Sequence, residues 1–371
     1  MPWIRRLGRE TPSIDPTAPR LRALLLPRLP WATAPQGANP DDHPAYEELF
    51  EHMAAAGVEM HLAPILPRPW NPMAGHHAVM SGIDPLRGLR IMLAHRRFDA
   101  IVTYFESPAL PFALLRGPLL YRRPVIVADI GLIPGWRIRD RILDAVVPRL
   151  DGILVLGQNQ VDAIHHRWRT RADVRFMHQH VDSTFFSPRA PVQSGPVLTV
   201  GDDVGRDFET LLTAMDGLDL DLIAKTGLLT DERVRGRRVE LLRGRMDWPA
   251  YRQLFERALM VVVPLRQMVT ASGIGTLLEA MAMGKPVIVS DSVGILDHVI
   301  PDETALVVPC GDADALRSAI QRLATDAALR DRLGRSARTY IEQHCSYRVV
   351  GTRMAAYVRE RVAALSGAAV R

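Results

Sequence analysis

Short apolar runs and longer amphipathic segments alternate along this chain. The apolar runs are about four to eight residues long and are bounded by turn residues, which is typical of strands buried on both faces of a parallel sheet. The segments between them carry apolar residues at helical spacing. This alternation predicts the α/β fold class. The predicted strands are residues 21–27, 58–65, 99–105, 124–128 and 151–156 in the first half, and 196–201, 219–224, 239–242, 259–264 and 286–290 in the second.

Helices are predicted at residues 45–56, 85–96, 109–115, 137–148 and 158–168, and then at 251–258, 277–283, 312–324, 327–344 and 348–364. A chain of 371 residues, 47% hydrophobic and 23% charged, is long enough to form two cores. We therefore expect a loose lead-in over residues 1–20, a first doubly wound domain over 21–187, a second over 188–347, and a last helix and tail over 348–371.

The stretch at residues 268–291 combines a small-residue turn with a helix and a buried strand. Ser272, Gly273 and Gly275 leave the backbone bare just before the helix formers of residues 277–283. Free N–H groups and the positive end of the helix dipole make such a turn an anion site. Glu279 lies one turn deeper, where a carboxylate suits sugar hydroxyls better than phosphate. An ordinary helix-to-strand unit with a surface glutamate fits the same spacing.

The sequence SGIGTLLEAMAMGKPVIVSD, residues 272–291, resembles the donor-site signature of GT-B glycosyltransferases, specifically the retaining family 4 kind, the glycosyl transferases group 1. The similarity continues through residues 295–312, which resemble the segment with which this family clamps the nucleotide. The resemblance implies a GT-B fold, with two Rossmann-like doubly wound domains facing a cleft and a C-terminal helix that crosses back to the N-terminal domain. The family often carries two glutamates separated by seven residues. Ala271 stands at the first position, and Glu279 matches the second, which in the family holds the ribose.

The resemblance also implies a donor site on the second domain and an acceptor site on the first. The donor, a nucleoside diphosphate sugar, is expected to contact Ser272, Gly273, Ile274, Gly275, Thr276 and Glu279, with the nucleobase at Arg243 and Gly244. The family commonly offers two basic residues to the diphosphate from the loop after residue 201. Asp202 stands at the first of these positions, and Arg206, which we expect to be an exposed loop residue, matches the second. Asp202 and Asp203 are interpreted as turn residues rather than as a cation site.

Two further side chains are candidates for the chemistry. Lys225 ends a predicted strand, where a compact ammonium can counter phosphate charge. Asp129 ends the strand at residues 124–128, near the place where many family members have a histidine, and is a candidate to reach an acceptor hydroxyl. A cap for the turn before Gly131 explains Asp129 equally well. We expect Arg206, Lys225 and Asp129 to be the catalytic residues.

Charge and composition bear on partners and location. The formal net charge is +5, carried almost wholly by arginine, and Lys225 and Lys285 are the only lysines. Arginines cluster in the first half. A basic surface of this kind would attract anionic lipid headgroups or polyprenyl phosphates. A scattered, solvated distribution of arginines fits the same residues. No nucleic-acid-reading motif is present, so no nucleic-acid partner is expected. No apolar run approaches the roughly 20 residues of a membrane span, and no signal peptide is evident. We expect a cytoplasmic protein with peripheral contact at the inner membrane face.

Metal and disulfide chemistry are not expected. Cys310 and Cys345 are far apart and fit no ligand pattern. His178 and His180 share a strand face, yet no further ligand follows at a metal-binding spacing, so a structural role is preferred.

The expected function is the transfer of a sugar from a nucleoside diphosphate sugar to a polysaccharide, glycolipid or small-molecule acceptor, with retention of the anomeric configuration and without another cofactor. A non-catalytic sugar-nucleotide binding homologue and a GT-B sugar-nucleotide epimerase are the alternatives.

Overall fold

The computed structural model describes residues 5–6, 20–27, 44–45, 47–65, 84–93, 97–115, 122–128, 137–190 and 192–368. The chain divides into two compact units. The N-terminal unit comprises residues 1–33, 46–177 and 350–371, and the C-terminal unit comprises residues 34–45 and 178–349. The domain boundaries that the sequence suggests, at 187/188 and 347/348, stay a prediction.

The N-terminal unit contains a seven-stranded sheet in the order β1-β3-β2-β4-β5-β6-β7. All neighbours pair in parallel except β1, which is antiparallel to β3. The strands are β1 (Arg5–Arg6), β2 (Leu21–Leu26), β3 (Val58–Leu62), β4 (Ala100–Tyr104), β5 (Val125–Ala128), β6 (Gly152–Val155) and β7 (Asp173–Phe176). The helices are α1 (Glu47–Ala55), α2 (Pro85–Leu93), α3 (Leu110–Leu115), α4 (Arg137–Val146) and α5 (Gln158–Trp168).

The C-terminal unit contains a six-stranded, all-parallel sheet in the order β10-β9-β8-β11-β12-β13. Its strands are β8 (Val197–Val200), β9 (Leu222–Lys225), β10 (Val239–Leu242), β11 (Met260–Val263), β12 (Val287–Ser290) and β13 (Leu306–Val308). Its helices are α6 (Phe208–Met215), α7 (Asp231–Val234), α8 (Trp248–Arg257), α9 (Ile274–Ala282), α10 (Ala313–Thr325) and α11 (Ala327–Tyr340). The last helix, α12 (Tyr347–Ala368), belongs to the N-terminal unit from Val350.

The sequence accounts for these elements in physical terms. The central strands are apolar runs whose side chains are buried along their whole length, as in β8, β11 and β12. Carboxylates that accept a backbone N–H at the N-cap begin four of the helices, which removes an unsatisfied donor at each start. These N-caps are Asp207, Asp247, Asp312 and Asp326. The predicted pattern of two parallel α/β sheets is therefore present.

No helix among the described residues is long and apolar enough to span a membrane.

The position of α9 is fixed by a close glycine contact. Gly284 follows the end of α9 with φ of 66°. Gly334 lies inside α11, and a Cβ built there would stand 2.2 Å from the carbonyl oxygen of Gly284. Glycine lowers helix stability, so its presence in α11 is explained by the need for the two backbones to touch.

Gly334→Ala should therefore destabilise the C-terminal unit. The added methyl group has no room against the Gly284 carbonyl, and relief requires a backbone shift, so we expect a loss of about 1–3 kcal/mol in the free energy of unfolding. Ser336→Ala, a half-buried position on the same helix, is the control and should change stability by about 0.5 kcal/mol or less. Urea unfolding of both variants makes the comparison, and equal stabilities would show that the contact is not needed.

Candidate functional site

The candidate site lies at the carboxyl edge of the second sheet, where the strand order reverses between β8 and β11. Loops that follow neighbouring parallel strands diverge at such a point and leave a crevice. The loop after β8 carries residues 201–207, and the loop after β11 leads into α9. A short antiparallel bridge between Arg206 and Leu265 joins the two loops.

The first turn of α9 presents bare backbone. Gly273 is the N-cap residue, and no side chain caps the helix. Within the part of the chain that the structure describes, the amides of Gly273, Ile274, Gly275 and Thr276 have no hydrogen-bond acceptor. Gly275 is exposed, and a Cβ built on it meets no described atom within 4 Å. The helix starts three residues earlier than predicted, so the predicted turn is its first turn.

Gly273 cannot be replaced without rearrangement. Its φ is 76°, in the left-handed region that favours glycine. A Cβ at this position would stand 2.7 Å from the Cγ1 of Val263 and 3.3 Å from Nη1 of Arg206. The turn therefore lies directly against the end of β11 and the Arg206 guanidinium.

Two of the three guanidinium nitrogens of Arg206 have hydrogen-bond partners, and the third has none among the described residues. Its Nε donates to Asp203 Oδ2 at 2.8 Å, and its Nη2 donates to the hydroxyl of Thr276 at 3.0 Å. Its Nη1 is buried and has no partner among the described residues. The prediction treats Arg206 as an exposed loop residue, and this is wrong, because only 4% of its surface is accessible. The bare turn and the bridge to Leu265 cover it.

Two hydroxyls tie the loops together around this arginine. Thr276 donates to the carbonyl of Val200 at 3.1 Å. Ser272 donates to Asp203 Oδ1, the oxygen that also accepts the amide of Gly205 at 3.2 Å. Ser272 and Thr276 thus have structural partners, and both are buried. Their hydroxyls fix the turn, while its four amides remain without an acceptor among the described residues.

Lys225 is the last residue of β9 and lies opposite Val200 in the neighbouring strand. Its surface is 9% accessible. Its Nζ has no hydrogen-bond or ion-pair partner among the described residues. A buried ammonium without a carboxylate is unfavourable unless an anion pairs with it or water solvates it. It lies at the carboxyl edge of the sheet, where one strand, β8, separates β9 from β11, the strand that precedes the α9 turn.

Asp202, at the position where the family commonly has a basic residue, is a turn residue. Its Oδ1 accepts the amide of Gly227 at 2.5 Å and the hydroxyl of Thr226 at 3.1 Å. It thereby joins the loop after β8 to the loop after β9.

Glu279 is half-buried in the second turn of α9. Its Oε2 accepts the Tyr251 hydroxyl at 2.7 Å. Burial raises the pKa of Glu279 to about 7, while the Tyr251 hydrogen bond and the charge of Arg206 oppose the increase. The folded protein therefore binds a proton at Glu279 more tightly than it would at an exposed glutamate.

The remaining predicted residues lie apart from this group. Arg243 and Gly244 follow β10, the edge strand, with β9 between them and β8. Arg243 donates to the carbonyl of Leu229 at 3.2 Å and pairs with Asp231 at 3.0 Å. Gly244 has φ of 76° and no described atom within 4 Å of a built Cβ. Asp129 lies outside the described residues.

A cavity of about 500 Å³ also occurs in the C-terminal unit, near Lys285 and Arg330. Both cations already donate to backbone carbonyls. Lys285 Nζ lies 2.9 Å from the Glu256 oxygen, and Arg330 Nη1 lies 2.7 Å from the Leu323 oxygen. The two buried cations of this cavity are therefore satisfied, unlike Lys225 and Nη1 of Arg206 at the carboxyl edge, and we place the candidate site at the α9 turn.

Two functional residues were missed by the sequence reasoning. Asp203 was regarded as a turn residue, although its spacing of three residues from Arg206 is a detectable signal for an ion pair. Tyr251 is 28 residues from Glu279, and no local pattern connects them. Only the packing of α8 beside α9 brings the hydroxyl to the carboxylate.

The family match covers the part of the chain that contains the α9 turn. Residues 220–326 match the family model described as glycosyl transferases group 1. The capsular polysaccharide biosynthesis glycosyltransferase CapM of Staphylococcus aureus is 33% identical over 73 residues. That match covers 20% of this chain and 19% of CapM, so it spans about a fifth of the curated relative.

Solved structures match over nearly the whole chain. Sucrose-phosphate synthase from Thermosynechococcus elongatus has a TM-score of 0.71 at 21% identity and covers 93% of this chain and 100% of its own. Anabaena HepE in complex with UDP and glucose has a TM-score of 0.65 at 14% identity, and the match covers 92% of this chain and 99% of the HepE chain. The predicted GT-B fold and the resemblance to GT-B glycosyltransferases are confirmed.

The raised pKa of Glu279 predicts a pH-dependent stability. Because the folded protein binds this proton more tightly than the unfolded chain, stability should fall as pH rises from the ordinary pKa of 4.5 to about 7. Glu279→Gln removes the effect. The variant should be more stable than the parent by about 1–2 kcal/mol near pH 8, allowing for partial exposure, and the gain should vanish near pH 4.

Chemical unfolding across this pH range measures the difference. Glu303→Gln, at an exposed position, serves as the matched control and should give no pH-dependent gain. A gain from Glu279→Gln that is the same at both ends of the range would contradict the assignment.

Proposed function

We propose that this GT-B protein, whose residues 220–326 match the glycosyl transferases group 1, transfers a sugar from a nucleoside diphosphate sugar to an acceptor with retention of the anomeric configuration. The observation that carries the proposal is the set of unpaired positive groups at one sheet edge. Four free amides of the α9 turn, the free Nη1 of Arg206 and the Nζ of Lys225 have no partner among the described residues.

A diphosphate is the ligand that suits these groups. It carries several acceptor oxygens and full negative charge, so it can bind a helix N-terminus and two cations together. A carboxylate or a single hydroxyl would leave most of the donors unsatisfied. Glu279 lies one turn further along the helix, where its carboxylate would accept the ribose hydroxyls. The nucleobase would rest at Arg243 and Gly244, at the open end of β10.

The chemistry follows from the same arrangement. Departure of the diphosphate from the sugar concentrates negative charge on its oxygens, and preorganised donors stabilise that charge as it develops. Arg206, Lys225 and the α9 amides supply this stabilisation. No protein nucleophile is proposed; a phosphate oxygen of the leaving group accepts the acceptor's proton on the face from which the group departs. Asp129 remains a candidate for contact with the acceptor.

The donor nucleotide and acceptor are proposed by class. HepE is a structural neighbour in complex with UDP and glucose, so UDP is the first nucleotide to test. CapM is named for capsular polysaccharide biosynthesis, which favours a polysaccharide or lipid-linked acceptor over a small molecule. We propose that the N-terminal unit binds the acceptor and the C-terminal unit the donor. Cytoplasmic location and contact with an anionic membrane stay predictions.

The only two lysines of the chain provide a matched test of the diphosphate site. Both are buried, at 9% and 8% accessibility, but only Lys225 lies at the carboxyl edge. Lys225→Met should weaken UDP binding by about tenfold or more, because it removes a charge-assisted contact, and should leave uridine binding unchanged. Isothermal titration calorimetry measures both affinities.

Lys285→Met is the control. It breaks two bonds to the carbonyls of Glu256 and Ala258, so it should lower the melting temperature while UDP affinity is kept. Equal losses of UDP affinity in the two variants, or a loss for uridine as large as that for UDP, would refute the assignment of Lys225 to phosphate.

The stereochemical course provides a separate test. Proton NMR of the first product formed from an α-linked nucleotide sugar should show an α-linkage. A β-linked first product would contradict retention. Tight donor binding without transfer to any polysaccharide, lipid-linked or small acceptor would instead favour the non-catalytic homologue.

A further inference from the structure

Tyr251 stands beside the carboxylate that the proposed function assigns to the ribose. Its hydroxyl donates to Glu279 Oε2 at 2.7 Å. The other oxygen, Oε1, has no partner among the described residues. One carboxylate oxygen is thus occupied by the protein and the other is available.

The tyrosine ring is held firmly by aromatic neighbours. Its centroid lies 5.4 Å from Phe255, 5.8 Å from Trp248 and 6.3 Å from Phe186, each in an edge-to-face arrangement. Phe255 and Phe186 belong to the buried core of the unit. Rings packed in this way have little rotational freedom, so the hydroxyl is fixed in direction and can orient the flexible glutamate.

We propose that Tyr251 is a positioning residue for nucleotide recognition: its hydroxyl fixes the direction of the Glu279 carboxylate and favours its ionised form, with Oε1 presented to the two ribose hydroxyls. This inference rests on the proposed function, because it assumes that a nucleotide occupies the α9 turn. A ribose diol presents two donors. An ionised Oε1 has lone pairs to accept from both hydroxyls, whereas a protonated Oε1 would itself be a donor.

Few other groups act on this carboxylate. Tyr251 approaches it from α8, and the charge of Arg206 acts on it from the loop after β8. Arg206 is itself paired with Asp203, which weakens its field at Glu279. Burial dominates and raises the pKa of Glu279 to about 7. A hydrogen bond donated to the carboxylate favours its ionised form, so loss of the Tyr251 hydroxyl must raise this pKa further.

The experiment compares the parent with Tyr251→Phe. Without nucleotide, carbon NMR of the Glu279 carboxyl should show the titration midpoint rising by about half to one pH unit in the variant. With UDP-glucose, whose diphosphate esters do not titrate between about pH 6 and about pH 9, parent affinity should fall as pH drops below about 7. In Tyr251→Phe, the affinity for UDP-glucose should fall in the same way, but the fall should begin about half to one pH unit higher.

Two variants separate positioning from general structural effects. Glu279→Gln should bind UDP-glucose weakly and with no pH dependence, because the titrating group is gone. Tyr340→Phe, which also removes a tyrosine hydroxyl from the same unit, with bonds to His178 and the Asp297 carbonyl, should leave the Glu279 midpoint unchanged. Tyr251→Phe should recover to within a few-fold of the parent affinity at the highest pH.

The outcomes distinguish the two proposals. An unchanged carboxyl midpoint in Tyr251→Phe, or a uniform loss of affinity at every pH, would overturn the positioning role. A raised midpoint with the expected shift in the affinity profile would establish it. If the midpoint rises but no nucleotide or nucleotide sugar binds the parent at any pH, the proposed function fails, and the role of Tyr251 in nucleotide recognition fails with it.

Discussion

The uncapped start of α9 is the constraint around which the C-terminal unit is arranged. Most helices of this unit begin with an aspartate or threonine that satisfies a first-turn amide, whereas α9 begins with Gly273 and no side-chain cap. Unsatisfied amides destabilise a helix by roughly 1 kcal/mol for each missing cap. The surrounding contacts compensate: α9 is buried over most of its length and touches α11 through paired glycines.

Hydrogen bonds from other elements likewise offset the burial of two ionisable side chains, Arg206 and Glu279. Burial opposes the charged form of Glu279, and Arg206 is withdrawn from water. Each side chain is held by a partner on another element. Thr276 and Asp203 hold the guanidinium, and Tyr251 holds the carboxylate. Replacing such groups by neutral ones commonly raises stability while function declines. In the proposed donor site, a bound diphosphate and ribose would relieve part of this unfavourable burial.

The sequence predicted the fold better than the site. The strand over residues 239–242 and the helix over 158–168 have the predicted bounds, because apolar runs and helical periodicity are local signals. Strand β13 was missed, since three residues lack a period and the segment was interpreted as a nucleotide clamp. The partners of Arg206 and Glu279 depend on contacts across 70 and 28 residues, so no spacing in the chain could indicate that Arg206 is buried or that Tyr251 reaches Glu279.

Arg206 and Lys225 differ in the net charge that each brings to the carboxyl edge near the α9 turn. Arg206 donates its Nε to Asp203, so the pair carries little net charge, and its contribution is the direction of one free N–H. The helix start supplies about half an elementary charge. Lys225 has no carboxylate partner among the described residues, so it is the full positive charge that remains. Attraction between charges falls with distance and dielectric. In the proposed donor site, Lys225 and the helix dipole would therefore supply most of the attraction for a diphosphate, and Arg206 would direct it through one N–H.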